Sequence, residues 1–242
     1  MADIVLTGDT SGAITIAAPA VAGTNTLTLP ASTGTVTINS TGGVNSNTGL
    51  GDGTYDANTT GANNVAVGNN AMTANTSGGD SVAIGADALS AQTTGGDNVA
   101  IGHLALSTLT TAGNNTAVGD RALQANTSGE NNVAIGTLAL DANTTGSLNT
   151  AVGRDALGAN TTATGCSALG REALRDNTTG DYNTALGVSA LSSNTTGTVN
   201  TAVGVSALKD ATTAEYNVAV GKEAGANLTT GSYNSVLGTQ AL

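Results

Sequence analysis

Residues 115–131 read NTAVGDRALQANTSGEN, and the next 17 residues, 132–148, read NVAIGTLALDANTTGSL. The same order returns at 183–199 as NTALGVSALSSNTTGTV: Asn, a short apolar run closed by Gly, two variable residues, Ala-Leu, then a turn-like Asn-Thr-Thr-Gly. Working outward from these blocks, the glycine closing the apolar run recurs at Gly51, Gly68, Gly85, Gly102, Gly119, Gly136, Gly153, Gly170, Gly187, Gly204, Gly221 and Gly238, always at an interval of 17. A fixed period of this size marks a stack of repeated units, and the unbroken register leaves no room for an inserted domain.

Apolar pieces of two to four residues between Gly and Asn suit short strands and tight corners rather than helices. The expected fold is therefore all-β, a parallel β-solenoid (β-roll) of about twelve 17-residue coils occupying 44–242. Stacking in register turns every repeat position into a column with neighbours about 4.8 Å apart, so that eleven steps span roughly 50 Å. Before the corner glycines runs a column of Val67, Ile84, Ile101, Val118, Ile135, Val152, Leu169, Leu186, Val203 and Val220, and after them come Ala-Leu pairs such as Ala122-Leu123 and Ala139-Leu140. These residues are expected to pack the solenoid and its contacts with other copies, with Val and Leu inside the coil and Ala covering something else. The glycines are expected at corners needing positive φ or close backbone approach, with Asn and Thr bonding along the stack. Tyr182, Tyr216 and Tyr233 share one column, which predicts direct stacking of two of them.

The composition makes the interior thin. There is no Trp or Phe, only four Tyr, and 34 Gly, so Ala, Val, Leu and Ile carry the burial. So little apolar volume per coil does not offset the ordering of 17 backbone units, and a second hydrophobic interface between identical rods is expected.

Seventeen acidic residues oppose six basic ones, and Arg121, Arg154, Arg171, Arg175, Lys209 and Lys222 all follow residue 120. That balance speaks against binding nucleic acid or an anionic membrane surface. No basic segment precedes the mildly apolar Ile14–Ala22, which Pro19 interrupts, so neither a secretory signal nor membrane insertion is expected.

Residues 1–43 lack the 17-residue register. Asp3–Thr7, Ala13–Ala17, Thr24–Leu29 and Gly34–Ile38 read as strands of a small β attachment or capping module, joined to the rod at Gly42-Gly43.

Two resemblances follow from these motifs. NNVAVG (63–68), DSVAIG (80–85), DNVAIG (97–102) and YNSVLG (233–238) resemble the head repeats of trimeric autotransporter adhesins, whose unit is shorter. The longer unit NTAVG-x-x-AL-x-x-NTTG, together with SGAITIAAPAVAGTNTLTLPASTGTV (11–36), resembles repeats and N-terminal modules of phage tail fibre proteins. The resemblance implies a left-handed coil, a homotrimer, and a virion tail or appendage fibre assembled in the host cytoplasm. Its implied partners are other tail or baseplate proteins, through the N-terminal module, and a host-surface glycan or protein. The signal peptide, heptad stalk and membrane barrel of an adhesin are not found in this sequence, so a bacterial surface adhesin is the alternative.

No catalytic, cofactor or metal residues are expected. The one histidine, His103, follows Gly102 at a variable position, and acids such as Asp176, Asp181, Glu215 and Glu223 occupy variable columns rather than recurring in each coil as calcium ligands would. Cys166 has no disulfide partner, and Gly49–Gly53 lacks the Lys and helix of a phosphate loop. The Thr column through Thr127, Thr144, Thr161, Thr178 and Thr195 offers a third reading, an ice- or surface-binding solenoid, though adjacent Thr-Thr differs from a Thr-x-Thr spacing.

Overall fold

The computed structural model describes residues Ile4–Thr7, Ala13–Ile16 and 47–242. The chain divides into two compact units, Met1–Thr33 and Gly34–Leu242. In the first, strands β1 (Ile4–Thr7) and β2 (Ala13–Ile16) pair antiparallel, with Ile4 opposite Ile16 and Thr7 opposite Ala13. The other expected strands, Thr24–Leu29 and Gly34–Ile38, and the Gly42-Gly43 junction lie outside the described residues.

The second unit is a parallel β-solenoid of about eleven turns, with about 17 residues per coil. Its strands are β3 (Thr48–Leu50), β4 (Val65–Val67), β5 (Val82–Ile84), β6 (Val99–Ile101), β7 (Thr116–Val118), β8 (Val133–Ile135), β9 (Thr150–Val152), β10 (Ser167–Leu169), β11 (Thr184–Leu186), β12 (Thr201–Val203), β13 (Val218–Val220) and β14 (Ser235–Leu237). They form one parallel sheet in sequential order, each residue opposite the one 17 positions on, as Ala117 is to Ala134. Among the described residues there is no helix.

The remaining sides of each coil carry no strand but bond between coils as well. On the strand side the first strand residue donates forwards, as from Val133 to the Asn149 carbonyl at 2.8 Å. The corner glycine and the residue two past it donate backwards, as from Gly136 to the Val118 carbonyl at 2.8 Å. On the far side N–H groups donate forwards, as from Leu140 to Ala156 at 3.0 Å and Thr144 to Thr161 at 2.9 Å. Each coil is thus tied to both neighbours by backbone bonds around its whole circuit, which satisfies main-chain groups that narrow coils would otherwise leave unpaired.

Packing inside the coil reverses one expectation. The strand-centre residues Ala66, Ala83, Ala100 and Ala117 are fully buried, and so are Ala122, Leu123, Ala139 and Leu140 after the corner. The column of Val67, Ile84, Ile101, Val118, Ile135, Val152, Leu169, Leu186, Val203 and Val220 instead faces outward, with Ile135 41% and Leu169 49% exposed. Alternation along a three-residue strand explains this: only its centre points inward, and its two ends point out. Alanine is the side chain inside because the inner volume is already shared with one Leu and two Asn per coil.

Those asparagines are the second finding. Both Asn columns are buried as carboxamide ladders rather than placed on surface corners. In the first, each Oδ1 accepts the backbone N–H of the Asn one coil later, as Asn115 accepts from Asn132 at 3.0 Å. Its Nδ2 donates across the interior, Asn115 to the Gly129 carbonyl at 3.0 Å. In the second, Nδ2 of Asn143 donates to Asn126 Oδ1 at 3.1 Å and to the Gly146 carbonyl at 3.0 Å. Burying so many amides without penalty requires this pairing.

Several coils depart from the pattern. Cys166 stands in the first Asn column, its thiol donating to the Gly180 carbonyl at 3.2 Å. Ala211 stands in the second, and Asn194 Oδ1, one coil earlier, is buried without a partner. In the coil 217–233, Gly225 replaces the usual Leu and Leu228 the usual Asn. A Cβ on Gly225 would stand 3.7 Å from Leu228 Cδ1 and 3.0 Å from Leu208 Cδ2, so the two exchanges compensate each other in volume.

Candidate functional site

The outer face of the sheet is the most regular surface of the solenoid. It is built from the two outward ends of each strand, Thr, Val or Ser at the start and Val, Ile or Leu at the end, and none of these positions from β3 to β14 holds a charged residue. Leu169, Leu186, Ile135 and Leu237 are exposed there, and Val152, Leu169 and Leu186 line a shallow apolar depression. An uncharged aliphatic band of this length is larger than isolated exposed apolar residues, and surfaces of that kind mark interaction sites.

The corner glycines shape this band. Gly68, Gly85, Gly102, Gly119, Gly136, Gly153, Gly170, Gly187, Gly204, Gly221 and Gly238 have φ between 122° and 141°. At Gly119 a Cβ would stand 2.5 Å from the Gly136 carbonyl oxygen, so neither the backbone conformation nor the spacing of the coils admits a side chain. The turn that follows uses left-handed residues that are not glycine, among them Leu123 at φ 52° and Leu140 at φ 52°. That conformation is what returns the leucine side chain to the interior after the corner.

The Thr column is tied along the stack. Oγ1 of Thr127 donates to the Thr144 carbonyl at 3.0 Å, Thr144 to Thr161 at 3.0 Å, and Thr178 to Thr195 at 2.9 Å. Next to each lies an exposed Thr or Ser such as Thr145, Thr162 and Thr179. Tyr216 and Tyr233 stack with ring centroids 5.0 Å apart and planes 5° apart. The Tyr182 ring lies over Gly165, where a Cβ would come within 2.7 Å of it.

The titratable groups form short pairs on the surface: His103 Nδ1 with Asp120 at 2.9 Å, Arg175 with Asp176 at 2.7 Å, Arg154 with Asp155 at 3.2 Å and with Glu172 at 3.4 Å, and Lys222 with Glu223 at 3.2 Å. Hydrogen bonds from Gln240 and then Lys222 hold the Glu223 carboxyl below its ordinary range, and partial burial pushes Asp141 up. Burial pushes the Cys166 thiol up to about 11, the direction opposite to that of a reactive thiolate. Among the described residues no three His, Cys, Asp or Glu side chains gather as metal ligands would, and no helix is long and apolar enough to cross a membrane.

No protein-family model matches the chain, no curated protein matches it, and no solved structure matches it.

Proposed function

We propose that this protein is a structural fibre component: a stiff rod whose copies associate side by side, as a homotrimer, in a virion tail or appendage fibre. The observation that carries the reading is the uncharged face running along all twelve parallel strands, one of its two columns Val, Ile or Leu throughout and the other Thr, Val or Ser. A narrow interior of alanine, leucine and paired asparagine leaves that face open to water, and covering it with an identical face supplies the burial the single coil lacks. The inter-coil bonding around the circuit suits a load-bearing spacer, and the repeat motifs resemble those of phage tail fibres. Hydroxyls of the Thr column that bond to carbonyls along the stack leave fewer free donors for ordering water, which weighs against the ice-binding reading.

Sedimentation equilibrium of the purified full chain tests the assembly, with three times the chain mass expected and a monomer refuting it. Ile135→Asp, which sets a carboxylate in the middle of the face, is expected to dissociate the assembly while the far-UV spectrum stays that of the coil. Gold-labelled antibody against the chain is expected to decorate appendages of virus particles; decoration of a bacterial envelope instead would favour the adhesin alternative.

A further inference from the structure

The second Asn column stops inside the solenoid. From Asn143 to Asn194 each carboxamide repeats one pattern: Nδ2 donates to Oδ1 of the preceding coil and to the carbonyl three residues on in its own coil. Asn160 does so to Asn143 at 2.8 Å and to Ala163 at 3.3 Å. Asn194 ends the run, with Nδ2 on Asn177 Oδ1 at 2.7 Å and on the Gly197 carbonyl at 2.9 Å. The next residues of the column are Ala211 and Leu228, neither of which has an amide to donate.

Alanine at 211 withdraws a donor from two acceptors at once. The first is Asn194 Oδ1, which has no protein partner although Asn194 is fully buried. Turning that carboxamide round gives no relief, because its oxygen would then face two other acceptors, Asn177 Oδ1 and the Gly197 carbonyl. The second is the Ala214 carbonyl. Its equivalent at Gly146 takes Nδ2 of Asn132 at 2.9 Å and Nδ2 of Asn143 at 3.0 Å, whereas Ala214 takes Asn200 alone, at 2.7 Å. A donor is stranded as well: Gly129 N–H donates to Asn126 Oδ1 at 3.0 Å, an oxygen that Ala211 cannot offer the Ala214 N–H. The exchange of Asn for Ala also frees the space of one carboxamide, and a water needs about 30 Å³ and roughly two to four polar partners. Asn194, Ala211 and Ala214 are all fully buried, so room and unpaired groups lie together away from solvent. The other buried amide atom without a partner, Gln92 Nε2, has Leu109 next in its column, which fills the place with carbon.

We propose that the space beside Ala211 is a binding site for one structural water, which donates to Asn194 Oδ1 and to the Ala214 carbonyl and accepts from the Ala214 N–H. The water does in this coil what the carboxamide of Asn143 does in its own, so the ladder runs on through a position where the sequence has no amide. An unpaired buried acceptor costs more than the entropy of holding most ordered waters, which is why the site fills. Closed off inside the stack, the water exchanges with bulk solvent only when the coil opens locally. Every group involved belongs to a single chain, so the site stands independently of lateral assembly.

The test is magnetic relaxation dispersion of the water oxygen with the full chain, which counts buried waters of long residence, on the natural sequence and on Ala211→Asn. The variant supplies its own carboxamide and is expected to lose one long-lived water per chain while far-UV circular dichroism stays unchanged. A high-resolution crystal structure of the natural chain, which depends on no variant, is expected to show a solvent peak within hydrogen-bond distance of both Asn194 Oδ1 and the Ala214 carbonyl. An unchanged dispersion amplitude in folded Ala211→Asn, or no solvent peak at that position in the natural chain, would overturn the assignment.

Discussion

Replacing Gly136 and Gly158 by alanine, one at a time, applies the same chemical change to two glycines with opposite expected results. Gly136 is a corner glycine with φ 134°, and a Cβ there would stand 2.6 Å from the Gly153 carbonyl oxygen, about 0.8 Å short of ordinary contact. Holding alanine in a glycine-only conformation costs on the order of 1–3 kcal/mol. Moving the next coil away weakens the bonds from Gly153 N to Ile135 O at 2.8 Å and from Asp155 N to Thr137 O at 3.1 Å, at about 1 kcal/mol each. The expected loss is about 3–5 kcal/mol. Gly158 has no positive φ, and its nearest neighbours are Asp155 O at 3.4 Å and Asp141 Oδ1 at 3.6 Å. Gly158→Ala therefore fits, and by narrowing the unfolded ensemble it should stabilise by about 0.4–1 kcal/mol. Because stacked repeats open locally, hydrogen exchange resolved over 119–170 measures both, supported by denaturant midpoints of the whole chain. If Gly136→Ala came within about 1 kcal/mol of Gly158→Ala, the claim that coil spacing and left-handed backbone together demand glycine would be wrong.

Leu140→Ala removes a fully buried side chain from a core with little else to fill the void, and a loss of about 2–5 kcal/mol in chemical denaturation is expected. Ala211→Asn brings a carboxamide into the second ladder beneath the unpaired Asn194 Oδ1, and should raise stability by about 1 kcal/mol, read as a higher denaturant midpoint. Cys166→Asn restores a strong acceptor for the Asn183 N–H, which now meets only sulfur, with a similar gain near neutral pH. The same variant tests pH dependence. Burial raises the thiol from its ordinary value of 9.0 to about 11, so its contribution is full below about 9 and is lost as pH climbs through about 11. Stability of the natural chain should then fall by about 3 kcal/mol more than that of Cys166→Asn over this window, and equal slopes would count against a buried thiol.

The period and the corners were legible because Gly136 and its equivalents recur in lockstep and no other residue tolerates their backbone. Stacking of Tyr216 on Tyr233 followed from the same arithmetic. The inside and outside of the coil were not legible. Val67 is more apolar than Ala66 and composition assigns it to the core, yet strand alternation with an interior already crowded by Leu and Asn selects the smaller side chain. Bonding of Asn along the stack was legible, but its burial was hidden because Asn143 lies in Asn-Thr-Thr-Gly, where local chemistry reads as a turn. Left-handed Leu123 and Leu140 were unreadable as well, since leucine seldom adopts that conformation without tertiary support. That an aliphatic column faces outward, and so is open to a partner, emerged only from the structure.

The exchange between Gly225 and Leu228 bears on how such a chain counts its own turns. Nearly interchangeable units invite a misthreaded fold in which a stretch docks one turn early, with most partners still satisfied. Leu228 stands beside the interior emptied at Gly225, whereas Leu109 in the same column shares its coil with Leu106, so a turn of this stretch docked in the wrong place would change how its interior is filled. Irregular units thus act as bookmarks in a monotonous text. A chain made uniform by Gly225→Leu with Leu228→Asn is expected to refold into a mixture, visible as multiple exchange populations for the same peptides.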